Sequence, residues 1–124
     1  MILGLGMDIA SIERMRAVLE RHGERMWTRI LTPIEQAALA ARRDRATALA
    51  GRWAAKEAAV KAFSGKAGAL WQDFEVRRAP SGAPEMFFRG RAALTAQRLG
   101  VAKAWVTITH DAGVAAAVVV LEGA

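Results

Sequence analysis

Trp53-Ala54-Ala55-Lys56-Glu57-Ala58-Ala59-Val60-Lys61-Ala62 is the stretch whose reading decides the fold. Its run of alanines carries nothing that interrupts a helix. The helix extends over about Ala46 to Phe63, after the charged break Arg42-Arg43-Asp44-Arg45 and before the flexible loop Ser64-Gly65-Lys66-Ala67-Gly68. A turn of 100° per residue places Leu49, Trp53, Glu57 and Val60 on one stripe, so Glu57 sits among apolar neighbours. Lys61 lies one step to its side, and Arg52 and Lys56 lie on the other flank. Glu57 and Lys61 have the i,i+4 spacing of an ion pair worth a few tenths of a kcal/mol. A surface pair does not need its acid on the apolar stripe, however, and a partly buried acid needs a cation or a metal.

Outward from this helix, Ile2 to Ile9 reads as a buried strand whose Gly4 and Gly6 allow close backbone approach. Near its end stands Asp8, an acid at the mouth of an apolar run. Ser11 is placed to N-cap a helix through about His22, with Ile12, Met15, Leu19 and His22 on one face. Arg14 and Arg21 fall on the opposite face, joined by Arg25 if the helix survives Gly23. Thr32-Pro33-Ile34-Glu35 is a capping box with proline at the first helical position.

Beyond the long helix, Asp73 to Arg78 and Glu85 to Phe88 read as strands joined across Pro80-Ser81-Gly82-Ala83-Pro84. Arg91 to Leu99 reads as a helix stopped by Gly100. Ala104 to Thr109 and Val114 to Leu121 form a last antiparallel pair turning through His110-Asp111-Ala112-Gly113. The order β-α-α-α-β-β-α-β-β predicts an α+β fold: one compact domain over residues 1–124, a small antiparallel sheet packed with helices.

The absence of cysteine excludes disulfides and thiolate metal sites, and two histidines are too few for a multi-histidine zinc centre. Hard, oxygen-liganded cations remain. No apolar run approaches the ~20 residues a membrane span needs, and the N-terminus lacks the basic n-region of a signal peptide. The expectation is a cytoplasmic protein without a membrane partner. A net charge of +6 points to anionic partners.

Asp8 and Glu57 are distant in sequence but able to converge. Two such carboxylates can hold Mg²⁺ and leave positions for phosphate oxygens and water. Lysines beside that metal would supply fixed positive charge to phosphates. Asp8 is equally suited to forming the turn into the first helix. His110 falls on the face of Val106 and Ile108, where a histidine is commonly a satisfied core residue. Its place at a strand end beside Asp111 also suits acid/base or phosphate-binding duty. The arginine face of the first helix is either simply solvated or a surface for an acidic protein or nucleic-acid backbone.

These residues together resemble the holo-[acyl-carrier-protein] synthase family, small stand-alone 4′-phosphopantetheinyl transferases. Gly6-Met7-Asp8 matches the first signature, and Trp53, Lys56, Glu57 and Lys61 match the second and more specific one. Thr109-His110 before Val114 to Val120 matches the C-terminal motif. Leu49-Ala50-Gly51-Arg52 and Arg29-Ile30-Leu31-Thr32 also look like family segments.

The resemblance implies transfer of 4′-phosphopantetheine from coenzyme A to a serine of apo acyl-carrier protein, releasing adenosine 3′,5′-bisphosphate. It implies Mg²⁺ on Asp8 and Glu57, with Lys61 neutralising phosphate charge and His110 joining these three as a catalytic candidate. Arg52, Lys61, His110 and the loop around Gly65 would contact the nucleotide. Arg14 and Arg21 would contact the acidic carrier protein. The family forms trimers with sites between subunits, so Gly82 and Pro84 of the hairpin would reach a neighbour's coenzyme A. Water, His110 and Asp111 are all candidates for the general base. The alternative is a basic nucleic-acid-binding module without catalytic activity, which leaves Asp8 and Glu57 without a task.

Overall fold

Two glycines set how the first strand seats on the long helix. In the computed structural model, which describes residues 1–124, strand β1 (Ile2–Ser11) lies directly on helix α4 (Arg45–Ala62). A Cβ on Gly4 would stand 2.0 Å from the Ala62 carbonyl oxygen, and one on Gly6 would stand 1.9 Å from that of Ala58. Strand and helix therefore meet backbone to backbone, which only glycine permits. Alternation then turns Asp8 and Ala10 toward the helix. Leu3, Leu5, Met7 and Ile9 face outward and are exposed.

β1 is the edge of a three-stranded antiparallel sheet ordered β1-β5-β4, with β4 spanning Val101–Asp111 and β5 Val114–Gly123. On the central strand Ala115, Ala117, Val119 and Leu121 are buried against α4. The helix answers with small residues: Ala48, Ala50, Ala54, Ala55, Ala58 and Ala59 are all buried, so it is covered on nearly every side. The alanine run thus serves tight packing as well as helix propensity.

The Ser11 hydroxyl accepts the Arg14 N–H at 3.1 Å and starts α1 (Ile12–His22). That helix does not survive Gly23, whose φ of 55° breaks it. A separate helix α2 (Glu24–Ile30) follows, which the sequence reading lacks, and it buries Trp27 and Ile30. Arg25 consequently leaves the arginine face of α1. The capping box forms as expected at α3 (Pro33–Leu39): the Thr32 hydroxyl accepts from the Glu35 N–H at 3.2 Å, and the Glu35 carboxylate accepts from the Thr32 N–H at 2.9 Å.

After α4 a short 3-10 turn (Trp71–Asp73) leads into a two-stranded ribbon, β2 (Phe74–Arg78) and β3 (Pro84–Phe88). Edge-to-face packing of Phe63, Phe74 and Phe88 ties this ribbon to the end of α4. Helix α5 (Gly90–Leu99) stops at Gly100 in the left-handed conformation, as its sequence predicts. The α+β expectation holds, with one more helix and two small antiparallel sheets.

Candidate active site

The close seating of β1 on α4 brings Asp8 beside the last turns of the helix. Lys61 Nζ donates to Asp8 Oδ1 at 3.0 Å and to the Met7 carbonyl at 3.1 Å. The Glu57–Lys61 pair permitted by spacing does not form, because the helical lysine reaches across to the strand instead. Glu57 is half-buried, and its Oε1 accepts the Trp71 indole N–H at 2.8 Å. Trp71 in turn packs on Trp53, ring centroids 4.8 Å apart and ring planes tilted by 44°. Lys61 thus joins Asp8 to the helix one turn beyond Glu57, forming a seam of β1 and α4 in which each carboxylate has a single oxygen engaged by these bonds. Lys61 keeps a third N–H and is exposed.

The first lysine of the signature behaves differently. Lys56 is completely buried, and its ammonium donates to Glu35 Oε1 (2.7 Å), the Trp71 carbonyl (3.1 Å) and the Phe74 carbonyl (2.6 Å). All three of its donors are spent inside the protein. The expectation of phosphate contact from lysines on both sides of Glu57 is thus corrected for Lys56. Burial pushes this ammonium below the ordinary lysine range, and the Glu35 carboxylate opposes that shift.

Arg52 and His110 meet elsewhere. A cavity of about 210 Å³ is lined by Arg42, Arg52 and Arg78 together with Thr47, Pro84 and His110. No carboxylate lines it, so its field is strongly cationic. His110 keeps the face of Val106 and Ile108 but is exposed at the cavity rim, which corrects the core-histidine alternative. Arg52 is buried, with Nε 3.9 Å from Glu35 Oε2 and no hydrogen-bond partner. Burial lowers its pKa, while Glu35 holds it up. Gly82 adjoins the same region, its carbonyl accepting from Arg78 at 2.9 Å. Sequence reasoning missed Arg42, which was read as part of a charged break, and Arg78, the unremarkable end of a strand. It also missed the role of Trp71. None of the three carries a spacing signal.

Asp8, Glu57 and Lys61 do not line the arginine cavity. Gly65, with φ of 73°, follows α4 four residues beyond Lys61 and is likewise absent from it. Within one chain the expected site therefore falls into two parts, an acidic seam and a cationic pocket. Arg14 and Arg21 are exposed on α1 and form no ion pair. Arg14 borders an apolar hollow formed with Ile9, Met15, Val18, Met26 and Trp53.

Residues 4–119 match the family model of the ACPS 4′-phosphopantetheinyl transferase superfamily. The chain is 50% identical to a holo-[acyl-carrier-protein] synthase of Anaeromyxobacter sp. (strain K), covering 99% of this chain and 98% of that one. It is 42% identical to the Koribacter versatilis protein of the same name, covering 98% and 99%. Among solved structures, the Helicobacter pylori holo-[acyl-carrier-protein] synthase in complex with coenzyme A is similar, with a TM-score of 0.82 and 30% identity. That match covers 95% of this chain and 99% of the other. The nucleic-acid-binding alternative finds no support among these relatives. By the family match over residues 4–119 and 50% identity across almost the whole chain, it belongs to the 4′-phosphopantetheinyl transferase superfamily.

Proposed function

We propose that this protein is a Mg²⁺-dependent holo-[acyl-carrier-protein] synthase. It transfers 4′-phosphopantetheine from coenzyme A to the serine of apo acyl-carrier protein, a step serving fatty-acid biosynthesis in the cytoplasm. The observation that carries the reading is the seam where Lys61, one turn beyond Glu57, is bonded to Asp8. Two half-buried carboxylates with unengaged oxygens fit a hard cation. The chain offers no cluster of three acidic or histidine groups, so such a cation would share only these two carboxylates and keep oxygens of phosphate and water. When bound, Mg²⁺ would supply charge neutralisation on the pyrophosphate.

The serine hydroxyl gives its proton to a base (water, His110 or Asp111) while its oxygen forms a bond to the β-phosphorus of coenzyme A and the bond to the adenosine bisphosphate oxygen breaks. Positioning and electrostatics do most of the work in such a transfer. The third N–H of Lys61 is available to a phosphate oxygen. Arg42, Arg52, Arg78 and His110 offer a pocket suited to the phosphorylated nucleotide end. Arg14 and Arg21, both exposed and unpaired, with Arg14 beside an apolar hollow, suit an acidic carrier protein whose surface also has apolar residues.

The separation of seam and pocket on one chain favours a homotrimer in which each site takes its seam from one subunit and its pocket from the next. The outward face of the three-stranded sheet supplies a surface for such assembly: Leu3, Leu5, Met7 and Ile9 on β1 and Trp105 on β4 are all exposed. Gly82 and Pro84 would then reach a neighbour's coenzyme A.

Mass spectrometry of apo acyl-carrier protein incubated with the enzyme, coenzyme A and Mg²⁺ tests the reading. The expected result is addition of one phosphopantetheine, with none when the metal is chelated. An unmodified carrier protein under all these conditions overturns it.

A further inference from the structure

Glu35 and Lys56 form an ion pair with no solvent exposure on either side chain. A pair buried this completely adds little net stability, and well-packed apolar residues often serve as well. What it provides here is geometry. Glu35 Oε1 accepts from Lys56 and from the Thr32 N–H, and Oε2 accepts from the Val76 N–H at 3.0 Å. The pair thus joins the start of α3, the middle of α4 and strand β2. The remaining bonds of the ammonium end on the carbonyls of Phe74 and Trp71. Trp71 is the residue whose indole N–H holds Glu57, so an unbroken line of hydrogen bonds runs from Glu35 through Lys56 and Trp71 to Glu57.

On the transferase reading above, we infer that Lys56 is a positioning residue for Glu57, acting through Trp71 and not by touching phosphate. Lys56 fixes the backbone of Trp71, and tilted packing against Trp53 restrains its ring. The indole N–H then engages one carboxylate oxygen of Glu57 and leaves the other to a cation. Groups one bond removed from a metal ligand orient it, and their loss typically weakens metal affinity or activity 10- to 100-fold.

The test compares wild type with Trp71→Phe, Lys56→Met, and both together. Trp71→Phe keeps an aromatic ring but removes the N–H. The measurements are the Mg²⁺ concentration for half-maximal transfer, the KM for coenzyme A, and the indole N–H resonances of ¹⁵N-labelled protein without metal or substrate. The chain has four tryptophans, and the resonance lost in Trp71→Phe assigns that of Trp71.

The expected result is a rise of roughly 10-fold or more in the half-saturating Mg²⁺ concentration for each single variant. The Trp71 indole resonance should move in Lys56→Met, and the double variant should be no worse than the worse single one, because both changes break the same line. Should Lys56→Met fail to fold with Glu35 left unpaired, Glu35→Gln with Lys56→Met replaces it. Wild-type Mg²⁺ dependence in Trp71→Phe overturns the inference. So does a Lys56 variant that raises the KM for coenzyme A while the Trp71 resonance stays in place. Absence of any Mg²⁺-dependent transfer by wild type would instead strike the transferase reading, and the indole spectra would still report on the Lys56–Trp71 link.

Discussion

Lys61 bonds to Asp8, 53 residues earlier in the chain, at 3.0 Å, and not to Glu57 one turn before it on the same helix. The lysine thereby ties the two signature stretches together and leaves Glu57 to Trp71. Charge at this seam is shared across β1 and α4, so neither element carries the site alone.

Removing either carboxylate charge tests the seam directly. Asp8→Asn and Glu57→Gln keep shape but lose the anionic oxygen a hard cation needs. Transfer to acyl-carrier protein should fall at least ~100-fold in each, the worth of a well-placed charge in such a site. Near-normal turnover of both variants at ordinary Mg²⁺ would remove the metal assignment.

The arginine face of α1 makes a kinetic prediction. Arg14→Glu with Arg21→Glu should raise the KM for the carrier protein and leave that for coenzyme A nearly unchanged. The effect should shrink with added salt, because exposed charges are screened over about 10 Å at 0.1 M ionic strength. Carrier-protein kinetics that do not change would return this face to solvation.

Assembly is checked by light scattering, which should report a trimer of the 13.3 kDa chain. A variant damaged at Glu57 and another damaged in the Gly82–Pro84 hairpin should each be inactive and regain partial activity after subunit exchange. Some mixed interfaces would then carry an intact seam opposite an intact pocket. A fully active monomer at assay concentration refutes the shared site.

The backbone contact of β1 with α4 predicts a large stability effect. Gly6→Ala places a methyl group 1.9 Å from the Ala58 carbonyl oxygen, and neither backbone can yield without moving an element. The cost should be about 3 kcal/mol or more, at the upper end for overpacking a core. Thermal or denaturant unfolding measures it; a loss under about 1 kcal/mol would show that strand and helix can separate there at little cost.

Glu75 predicts a direction for acid sensitivity. Burial alone would raise its pKa, but hydrogen bonds from Thr32 and Arg77 and the charges of Arg77 and Arg89 outweigh it and hold the carboxyl below 4.5. A depressed folded-state pKa contributes stability that is present above the unfolded value and lost as pH falls through the folded one. Unfolding free energy should therefore decline below about pH 4.5 more steeply in wild type than in Glu75→Gln. Parallel pH profiles for the two proteins would contradict this.

Much of the architecture was legible because its causes are local. The Ser11 cap, the Thr32–Glu35 capping box, the stop at Gly100 and the period-2 strands each depend on residues within a turn or two. Gly4 and Gly6 announced close packing, and the two signature stretches announced the family with its candidate ligands. Helix α2 was not legible, since a glycine within a helical pattern is compatible with either continuation or a break, and the burial of Trp27 and Ile30 decides it.

The partners of the charged residues were decided only by the tertiary structure. Lys56 and Lys61 are both lysines flanking one glutamate, yet the first is sealed beneath Trp71 and Phe74 and the second lies open beside Asp8. Arg42, Arg52, Arg78 and His110 come from four separate segments and meet only where α4, the β2–β3 ribbon and β4 converge. Helix and strand periods determine which face a side chain takes. What it meets on that face depends on segments remote in the chain, whose docking is set by the packing of the whole core.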